Sequence, residues 1–260
     1  MIQTWYAALL ASIAAPAPAG GPERYFVKPG YQSRESPTYF VDELPEIVYQ
    51  PDVYPVAAAA ARSLGASMLV DVGCGRAPKL LACAGDLDTI GIDFGPNLDH
   101  CRAHYPDRTW LDCDLDRPHR LPVSPGELRR SVIICSDVIE HLVRPEHLLA
   151  SLRAALEEAP LLVLSTPERD LTRGLDDTGP PYNGAHVREW NLSELALLLE
   201  HHGLPLRRID LTRSDDQRGA LHTIVAFVAG DRRPEVAGAH AERHAHGRTA
   251  AGPGRSATRG

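Results

Sequence analysis

Residues 69–78 read LVDVGCGRAP, and this stretch decides the fold. An apolar run ends at Asp71, and Gly73 and Gly75 follow it directly. Glycines at the end of a strand let the backbone turn tightly and let a ligand approach the main chain closely. In open α/β sheets, ligands bind outside the carboxyl ends of the strands. The stretch therefore predicts a buried strand that leads into a ligand-binding loop.

The chain around this loop alternates apolar runs with helical patterns from residue 51 onward. Strands are predicted at residues 67–72, 88–93, 108–114, 131–137, 161–167, 207–213 and 222–230. Helices are predicted at residues 55–64, 79–84, 97–105, 144–159 and 192–202. Continuous apolar strands that alternate with helices indicate a parallel sheet covered on both faces. The right-handed crossover rule then predicts an α/β, Rossmann-like, doubly wound and mostly parallel sheet of seven strands.

Three segments divide the 260 residues. Residues 1–50 form an N-terminal arm or cap, of which the first 22 residues are predicted to be poorly ordered. The tyrosine-rich part of this arm either packs over a site as a lid or covers an edge of the sheet. Residues 51–230 form the ligand-binding domain, and the His- and Arg-rich residues 231–260 are predicted to be a disordered tail.

Composition excludes several classes of partner. A formal net charge of -7 disfavours a nucleic acid, and the apolar residues 5–15 are too short to span a bilayer. The five cysteines show no CxxC pair and no Cys/His spacing typical of zinc sites, so we predict no metal site. Free thiols suit a reducing compartment, which predicts a cytoplasmic protein.

The glycine loop does not fit a dinucleotide. A dinucleotide fingerprint requires GxGxxG, whereas here Gly73 and Gly75 are followed by Pro78 at the third position. The chain also lacks an obvious Tyr/Lys pair for hydride chemistry. An NAD-dependent oxidoreductase is therefore disfavoured, and a cofactor without a pyrophosphate group is favoured.

The segment VDVGCGRA resembles the first motif of the class I S-adenosylmethionine-dependent methyltransferases, with Ala77 in place of the motif's third glycine. The resemblance covers about residues 55–230. It implies the seven-stranded fold of that family, methyltransferase activity and S-adenosylmethionine as cofactor. It also implies that Asp71, Gly73, Cys74 and Gly75 surround the methionine and ribose parts of the cofactor.

Three further motifs of the family follow in order. Resemblance implies that Asp93, with Phe94 after it, binds the ribose hydroxyls, for which a carboxylate has two acceptor oxygens. Asp114 and Leu115 resemble the pair that contacts the adenine, and Asp112 is a competing candidate.

The segment CSDVIEHL resembles the family's D-x-x-E-H segment and is the most specific single match. It makes Ser136 and Asp137 candidate cofactor contacts, and Asp137 and His141 candidate catalytic residues. Alternatively, Glu140 and His141 cap the next helix or pair with Arg144.

The polar segment 168–190 is predicted to be a long functional loop. It loosely resembles a loop of methyltransferases found among glycan and natural-product biosynthetic enzymes. His186 is the candidate general base, because an imidazole titrates near working pH, or else it only pins the loop. Candidate substrate contacts are Tyr31, Asn183, Arg188 and Trp190. Trp190 is alternatively a core residue, and Arg188 alternatively pairs with Glu189 or Asp177.

We therefore expect methyl transfer to an oxygen of a hydroxylated small molecule, such as a sugar, a nucleoside or a glycolipid precursor. Two alternatives stay open: the same fold repurposed for non-methyl chemistry in natural-product biosynthesis, and a catalytically silent binding or scaffold subunit. The sequence leaves the oligomeric state open.

Overall fold

A computed structural model describes residues 25–41 and 47–231. The predictions of disorder for residues 1–22 and for the tail beyond Asp231 lie outside the described residues. Eight helical segments and seven strands are described below in chain order. The strands are β1 (Met68–Val72), β2 (Asp88–Asp93), β3 (Thr109–Asp112), β4 (Ser131–Ser136), β5 (Leu161–Pro167), β6 (Leu206–Thr212) and β7 (Thr223–Ala229). The α-helices are α1 (Val53–Leu64), α2 (Pro78–Ala84), α3 (Gly95–His104), α4 (Pro125–Arg129), α5 (Pro145–Ala155), α6 (Arg169–Arg173) and α7 (Leu192–His201), and one 3-10 turn covers Ile139–His141.

The strands form one seven-stranded sheet in the order β3-β2-β1-β4-β5-β7-β6. Strands β1 to β5 pair in parallel, and β7 runs antiparallel between β5 and β6. The predicted mostly parallel, doubly wound α/β sheet is confirmed. Its strand order reverses between β1 and β4, which is where such sheets bind ligands.

The sheet is buried on both faces, as its apolar strands predict. Every residue of β1 and β4 is buried. One hydrophobic cluster packs α5 and α7 against one face, and a second packs α1 and α2 against the other. Burial of these two layers fixes the carboxyl ends of β1, β2 and β4 at a common edge.

Sequence signals set the helix ends. Helix α1 ends at Gly65, which adopts the left-handed φ of +70° and returns its N–H to the last turn. Helix α7 begins with a capping box: the Asn191 side chain accepts the N–H of Glu194, and the Glu194 carboxylate accepts the N–H of Asn191. These caps orient the helices that flank the site.

Two details differ from the sequence prediction. The segment 168–190 is not an unbroken loop, because it begins with α6, which Glu168 caps by accepting the N–H of Leu171. The short α4 was missed, although Ser124 and Glu127 form a capping box that the sequence displays. Both helices are only five residues long, which is too short for a helical period to be visible.

The N-terminal arm runs alongside the segment 178–187. The backbone N–H groups of Gln32, Arg34 and Thr38 donate to the carbonyls of Thr178, Val187 and Gly184. These three bonds join the arm to the segment that carries the candidate acceptor residues.

The described residues contain no helix with the length and apolarity that crossing a membrane requires. All five cysteines are free thiols, and four of them are buried.

Candidate functional site

The glycine loop folds back over the end of β2. The N–H groups of Gly73 and Cys74 donate to the carbonyl of Ile92, at 2.8 and 3.0 Å. Gly73 and Gly75 have φ angles of +77° and +56°. A Cβ atom at Gly73 would lie 2.4 Å from Cγ2 of Val138, so both backbone conformation and space require glycine there.

Asp71 places a carboxylate directly beneath this loop. It is fully buried and accepts a hydrogen bond from the Tyr54 hydroxyl at 3.0 Å. Burial, and then the charge of Asp71, raise the pKa of Tyr54 well above its usual value, so the phenol stays a donor. No motif in the sequence marks Tyr54, because a tyrosine in an apolar helix has the pattern of a core residue.

Asp93 holds the loop from the neighbouring strand. Its two carboxylate oxygens accept the N–H groups of Gly75 and Phe94, each at 2.8 Å. A carboxylate oxygen accepts more than one hydrogen bond, so Asp93 keeps acceptor capacity for a ribose diol while it shapes the loop.

The arm reaches this same point. The Tyr39 hydroxyl donates to the Phe94 carbonyl at 2.8 Å, and Asn97 donates to the Phe40 carbonyl at 3.1 Å. Burial, followed by the charge of Asp93, raises the pKa of Tyr39 to about 12. The arm therefore contacts both the turn after Asp93, at the end of β2, and the segment 178–187.

The two candidate adenine acids lie in different environments. Asp114 accepts the N–H of Asp116 at 3.1 Å and pairs with Arg117 at 2.9 Å, and Leu115 beside it is buried. Asp112 is exposed and lies opposite Asp93 in the register of β3 on β2. Both acids remain predictions for the adenine contact.

Ser136 and Asp137 close the end of β4. The hydroxyls of Ser136 and Ser165 both lie within hydrogen-bond distance of Oε1 of Gln50, and the two hydroxyl oxygens lie 2.9 Å apart. Asp137 has a φ of +56°, which is costly for a residue with a Cβ and is typical of functional sites. Gln50 was missed by the sequence analysis, because it precedes α1 in a segment without a motif.

Three side chains meet beside Asp137. Glu140, His141 and His186 each offer a ligand atom, and these three atoms all lie within 4.8 Å of one another. The rings of His141 and His186 meet edge to face, with their centroids 4.7 Å apart. Burial, and then the nearby His186, lower the pKa of His141 to about 3, so this imidazole is neutral near pH 7.

A hydrogen-bond acceptor lies next to the Nδ1 atom of each imidazole. Nδ1 of His186 lies 2.6 Å from the Glu189 carboxylate, and Nδ1 of His141 lies 3.0 Å from the Ala185 carbonyl. Glu140 does not cap the next helix or pair with Arg144; it is fully buried, and its carbonyl accepts the N–H of Val187.

Glu189 is fixed by two further partners. Its second oxygen pairs with Arg173 at 3.1 Å, and its N–H donates to the Tyr31 hydroxyl at 2.9 Å. Burial on its own would raise the pKa of Glu189, but His186 and Arg173 outweigh it and lower that pKa below its usual value. Glu189 is therefore an ionised partner that orients His186.

The predicted substrate contacts divide into buried and exposed residues. Trp190 is fully buried in the core and donates from Nε1 to the Tyr25 carbonyl, so stacking on an acceptor is not supported. Arg188 is buried and donates to the carbonyls of Leu142 and Val143, rather than pairing with Glu189 or Asp177.

Tyr31 is also buried, at 4% exposure, so it positions Glu189 rather than lining an open acceptor site. Asn183 is exposed, and its side-chain carbonyl accepts the N–H of Ala185. Only Asn183 of the four predicted substrate contacts reaches the surface.

The donor set at the carboxyl ends of β1 and β2 fits S-adenosylmethionine. Two left-handed glycines open the backbone, Asp71 supplies negative charge for a sulfonium, and Asp93 supplies acceptors for ribose hydroxyls. The side chain of Cys74 is buried against Cys101 and Gly91, so only its backbone can contact the cofactor.

Comparison with known proteins agrees with this geometry. A family model described as a methyltransferase domain matches residues 53–208. Two curated relatives, the probable S-adenosylmethionine-dependent methyltransferases MT3114 and Rv3030 of two Mycobacterium tuberculosis strains, are each 30% identical over 134 residues, covering 50% of this chain and 46% of the relative. The chain thus spans about half the length of these relatives.

Solved structures share the fold. A S-adenosylmethionine-dependent methyltransferase from Clostridium acetobutylicum ATCC 824 superposes with a TM-score of 0.51 at 10% identity, over 71% of this chain and 92% of that one. The methyltransferase domain of bacterial CtHen1-CN superposes with a TM-score of 0.50 at 18% identity, over 68% and 96%. At these identities, the likeness shows the fold alone.

Fold and site together define a class I S-adenosylmethionine-dependent methyltransferase domain. The chain belongs to the methyltransferase domain family, and S-adenosylmethionine is its cofactor.

Proposed function

We propose that this chain transfers a methyl group from S-adenosylmethionine to a hydroxyl oxygen of a small acceptor, such as a sugar, a nucleoside or a glycolipid precursor. The observation that carries the proposal is the buried His186–Glu189 pair, which lies beside the arm that also contacts Phe94, next to Asp93. A hydroxyl acceptor gains most from such a general base.

Bound S-adenosylmethionine supplies an electrophilic methyl group on a sulfonium. Asp71, Gly73 and Gly75 would hold its methionine end, and Asp93 its ribose. Nδ1 of His186 faces the Glu189 carboxylate at 2.6 Å, which leaves Nε2 to accept the hydroxyl proton of the acceptor. Methyl transfer to that oxygen would form the O–C bond, break the S–C bond and release S-adenosylhomocysteine.

Positioning is the second contribution of the protein. A displacement of this kind needs the acceptor oxygen about 3 Å from the methyl carbon, with water excluded. Tyr39 and Phe40 approach the glycine-loop region from the arm, and the Phe40 ring lies 5.1 Å from that of His141. The arm therefore acts as a lid that joins the cofactor region to the base.

A small acceptor is favoured over a nucleic acid by the net charge of -7. The exposed part of the segment after α6 contains one large apolar residue, Leu175, and the polar or amphipathic residues Asp176, Tyr182 and Asn183. Such side chains suit a hydroxylated molecule.

The test starts with calorimetric titration of the full chain with S-adenosylmethionine, S-adenosylhomocysteine and NAD. Binding of the first two without NAD supports the assignment and leads to a screen of sugars and nucleosides for methylated product.

His186→Ala should then lose turnover by about 100-fold or more, the range for a general base, with cofactor affinity unchanged. His147→Ala is the matched control, because His147 is bonded to the Asp116 carbonyl outside the site. Full turnover in His186→Ala would remove His186 from the mechanism.

A further inference from the structure

We propose that Glu140, His141 and His186 form a binding site for one divalent transition-metal cation. Their ligand atoms lie within 4.8 Å of one another, which is close enough for one ion to contact all three. Ion binding itself does not depend on the proposed methyl transfer. The sequence prediction of no metal site considered spacing along the chain, whereas these ligands come from two separate segments.

Both imidazoles are oriented as metal ligands are. A metal-binding histidine donates its other ring N–H to a carboxylate or a backbone carbonyl, which fixes the tautomer. Nδ1 of His186 faces Glu189 at 2.6 Å, and Nδ1 of His141 faces the Ala185 carbonyl at 3.0 Å. Both rings thus carry the proton on Nδ1, and the lone pair of each Nε2 is available to an ion.

Glu140 gives the second, independent observation. Its side chain is fully buried; Thr166 and Asp137 lie beside the carboxylate, but neither of its oxygens makes a hydrogen bond of normal geometry to a described residue. The ionised form of such a carboxyl is costly unless a cation compensates it. A divalent ion among these three side chains would remove that cost.

The charges around the cluster also favour a cation. Asp137 and Glu189 are the acidic neighbours that influence Glu140 and His141. The nearest basic side chains are already paired, Lys79 with Asp137 and Arg173 with Glu189 and Asp177. The acidic side chains of Asp137 and Glu189 therefore lie around the site, and the basic side chains that contact these two acids are already paired with them.

The ligand set selects the kind of ion. Two imidazoles and one carboxylate suit Mn²⁺, Fe²⁺, Co²⁺ or Zn²⁺, whereas Mg²⁺ and Ca²⁺ prefer oxygen ligands alone. Three protein ligands leave coordination positions open, as in catalytic rather than structural sites. An ion here would lower the pKa of an acceptor hydroxyl, and it would occupy the Nε2 atom of His186 that the proposed base uses, so metal binding and general-base catalysis by His186 are alternative states of one site.

The experiment uses the full chain with His240, His244 and His246 replaced by alanine, because tail imidazoles would bind metal on their own. The protein is stripped with a chelator and titrated with Mn²⁺, followed by electron paramagnetic resonance, and with Co²⁺, followed by visible absorption. Mg²⁺ serves as the comparison ion. We expect one Mn²⁺ or Co²⁺ per chain and weaker binding of Mg²⁺.

Glu140→Gln and His141→Asn should each weaken Mn²⁺ binding by at least tenfold, whereas His147→Asn, outside the cluster, should not change it. Calorimetry with S-adenosylmethionine checks that each variant is folded. If a ligand variant fails to fold, Glu189→Gln replaces it, with an expected loss of about 10- to 100-fold through the orienting bond to His186.

Stoichiometric binding that these substitutions weaken supports the site. No binding of Mn²⁺ or Co²⁺, or binding that is indifferent to both ligand substitutions, overturns it. The titration needs no acceptor and no turnover, so a failure of the proposed methyl transfer stays distinguishable from a failure of the metal site.

Discussion

Nδ1 of His186 lies 2.6 Å from Oε1 of Glu189, and both side chains are buried. Arg173 pairs with the second carboxylate oxygen, and the Tyr31 hydroxyl accepts the backbone N–H of Glu189, so this residue is fixed at both its side chain and its main chain. Whether Nε2 takes a proton or binds an ion, its direction depends on this pair. The pair therefore links the N-terminal arm, through Tyr31, to the chemistry of the acceptor segment.

Glu189→Gln should lower kcat about 10- to 100-fold, because the amide cannot hold the imidazole in the same orientation and charge state. The affinity for S-adenosylmethionine should be unchanged, since no cofactor residue contacts Glu189. Steady-state kinetics with a methylated-product readout, together with cofactor calorimetry, measure both quantities. Asp177→Asn is the matched control, because it removes another partner of Arg173 and leaves the His186–Glu189 contact in place. Equal turnover in Glu189→Gln and wild type would contradict the role.

Asp93→Asn should weaken S-adenosylmethionine binding by about 1.5–3 kcal/mol, the range for hydrogen bonds to a charged group. The substitution replaces one acceptor oxygen by a donor that faces the N–H groups of Gly75 or Phe94. Calorimetry measures the affinity, and Asp99→Asn on the exposed side of α3 is the control. An affinity equal to that of the control would remove Asp93 from the cofactor site.

The sheet and the cofactor loop were predictable because their signals are local. Apolar runs, strand-end glycines and the Asn191–Glu194 capping box depend on neighbours within a few positions, so a single sequence displays them. The position of Asp93 was predictable for the same reason, because this residue ends a strand. Each of these features is present in the structure.

The acceptor side was less predictable because its contacts join distant segments. The Glu189–Tyr31 hydrogen bond spans 158 positions, and the His141–Ala185 contact spans 44. The sequence does not distinguish a tryptophan that stacks on a ligand from one that fills the core. Only the full burial of Trp190 in the structure decides between these roles. Spacing along the chain likewise concealed the cluster of Glu140, His141 and His186.

Asp170 should give the protein an acid-sensitive component of stability. Burial would raise the pKa of this carboxyl, but hydrogen bonds from Asn191, Arg169 and Lys28 hold it below the ordinary 3.8. Because the folded-state pKa is the lower one, this stabilisation is fully present above pH 3.8 and is lost as pH falls through the folded value.

Asp170→Asn should therefore lower the free energy of unfolding by about 1.5–3 kcal/mol at pH 7. This difference in unfolding free energy between variant and wild type should become smaller below pH 3.8. Urea unfolding at pH 7, 5 and 3 measures the gap. The control is Asp176→Asn, an exposed acid in the same segment. A gap that stays constant across these pH values would contradict the assignment.

Tyr39→Phe should speed the release of S-adenosylmethionine by about 3- to 10-fold, which corresponds to the loss of one hydrogen bond. The hydroxyl donates to the Phe94 carbonyl beside Asp93, so it ties the arm to the cofactor loop, while the ring remains able to pack edge-on against Phe94. Stopped-flow displacement of bound cofactor measures the rate. Tyr49→Phe is the control, because Tyr49 is also a half-exposed arm residue and the Lys79 ammonium contacts only its carbonyl. If Tyr39→Phe and Tyr49→Phe release the cofactor at the wild-type rate, the arm does not act as a lid and only covers this edge of the sheet.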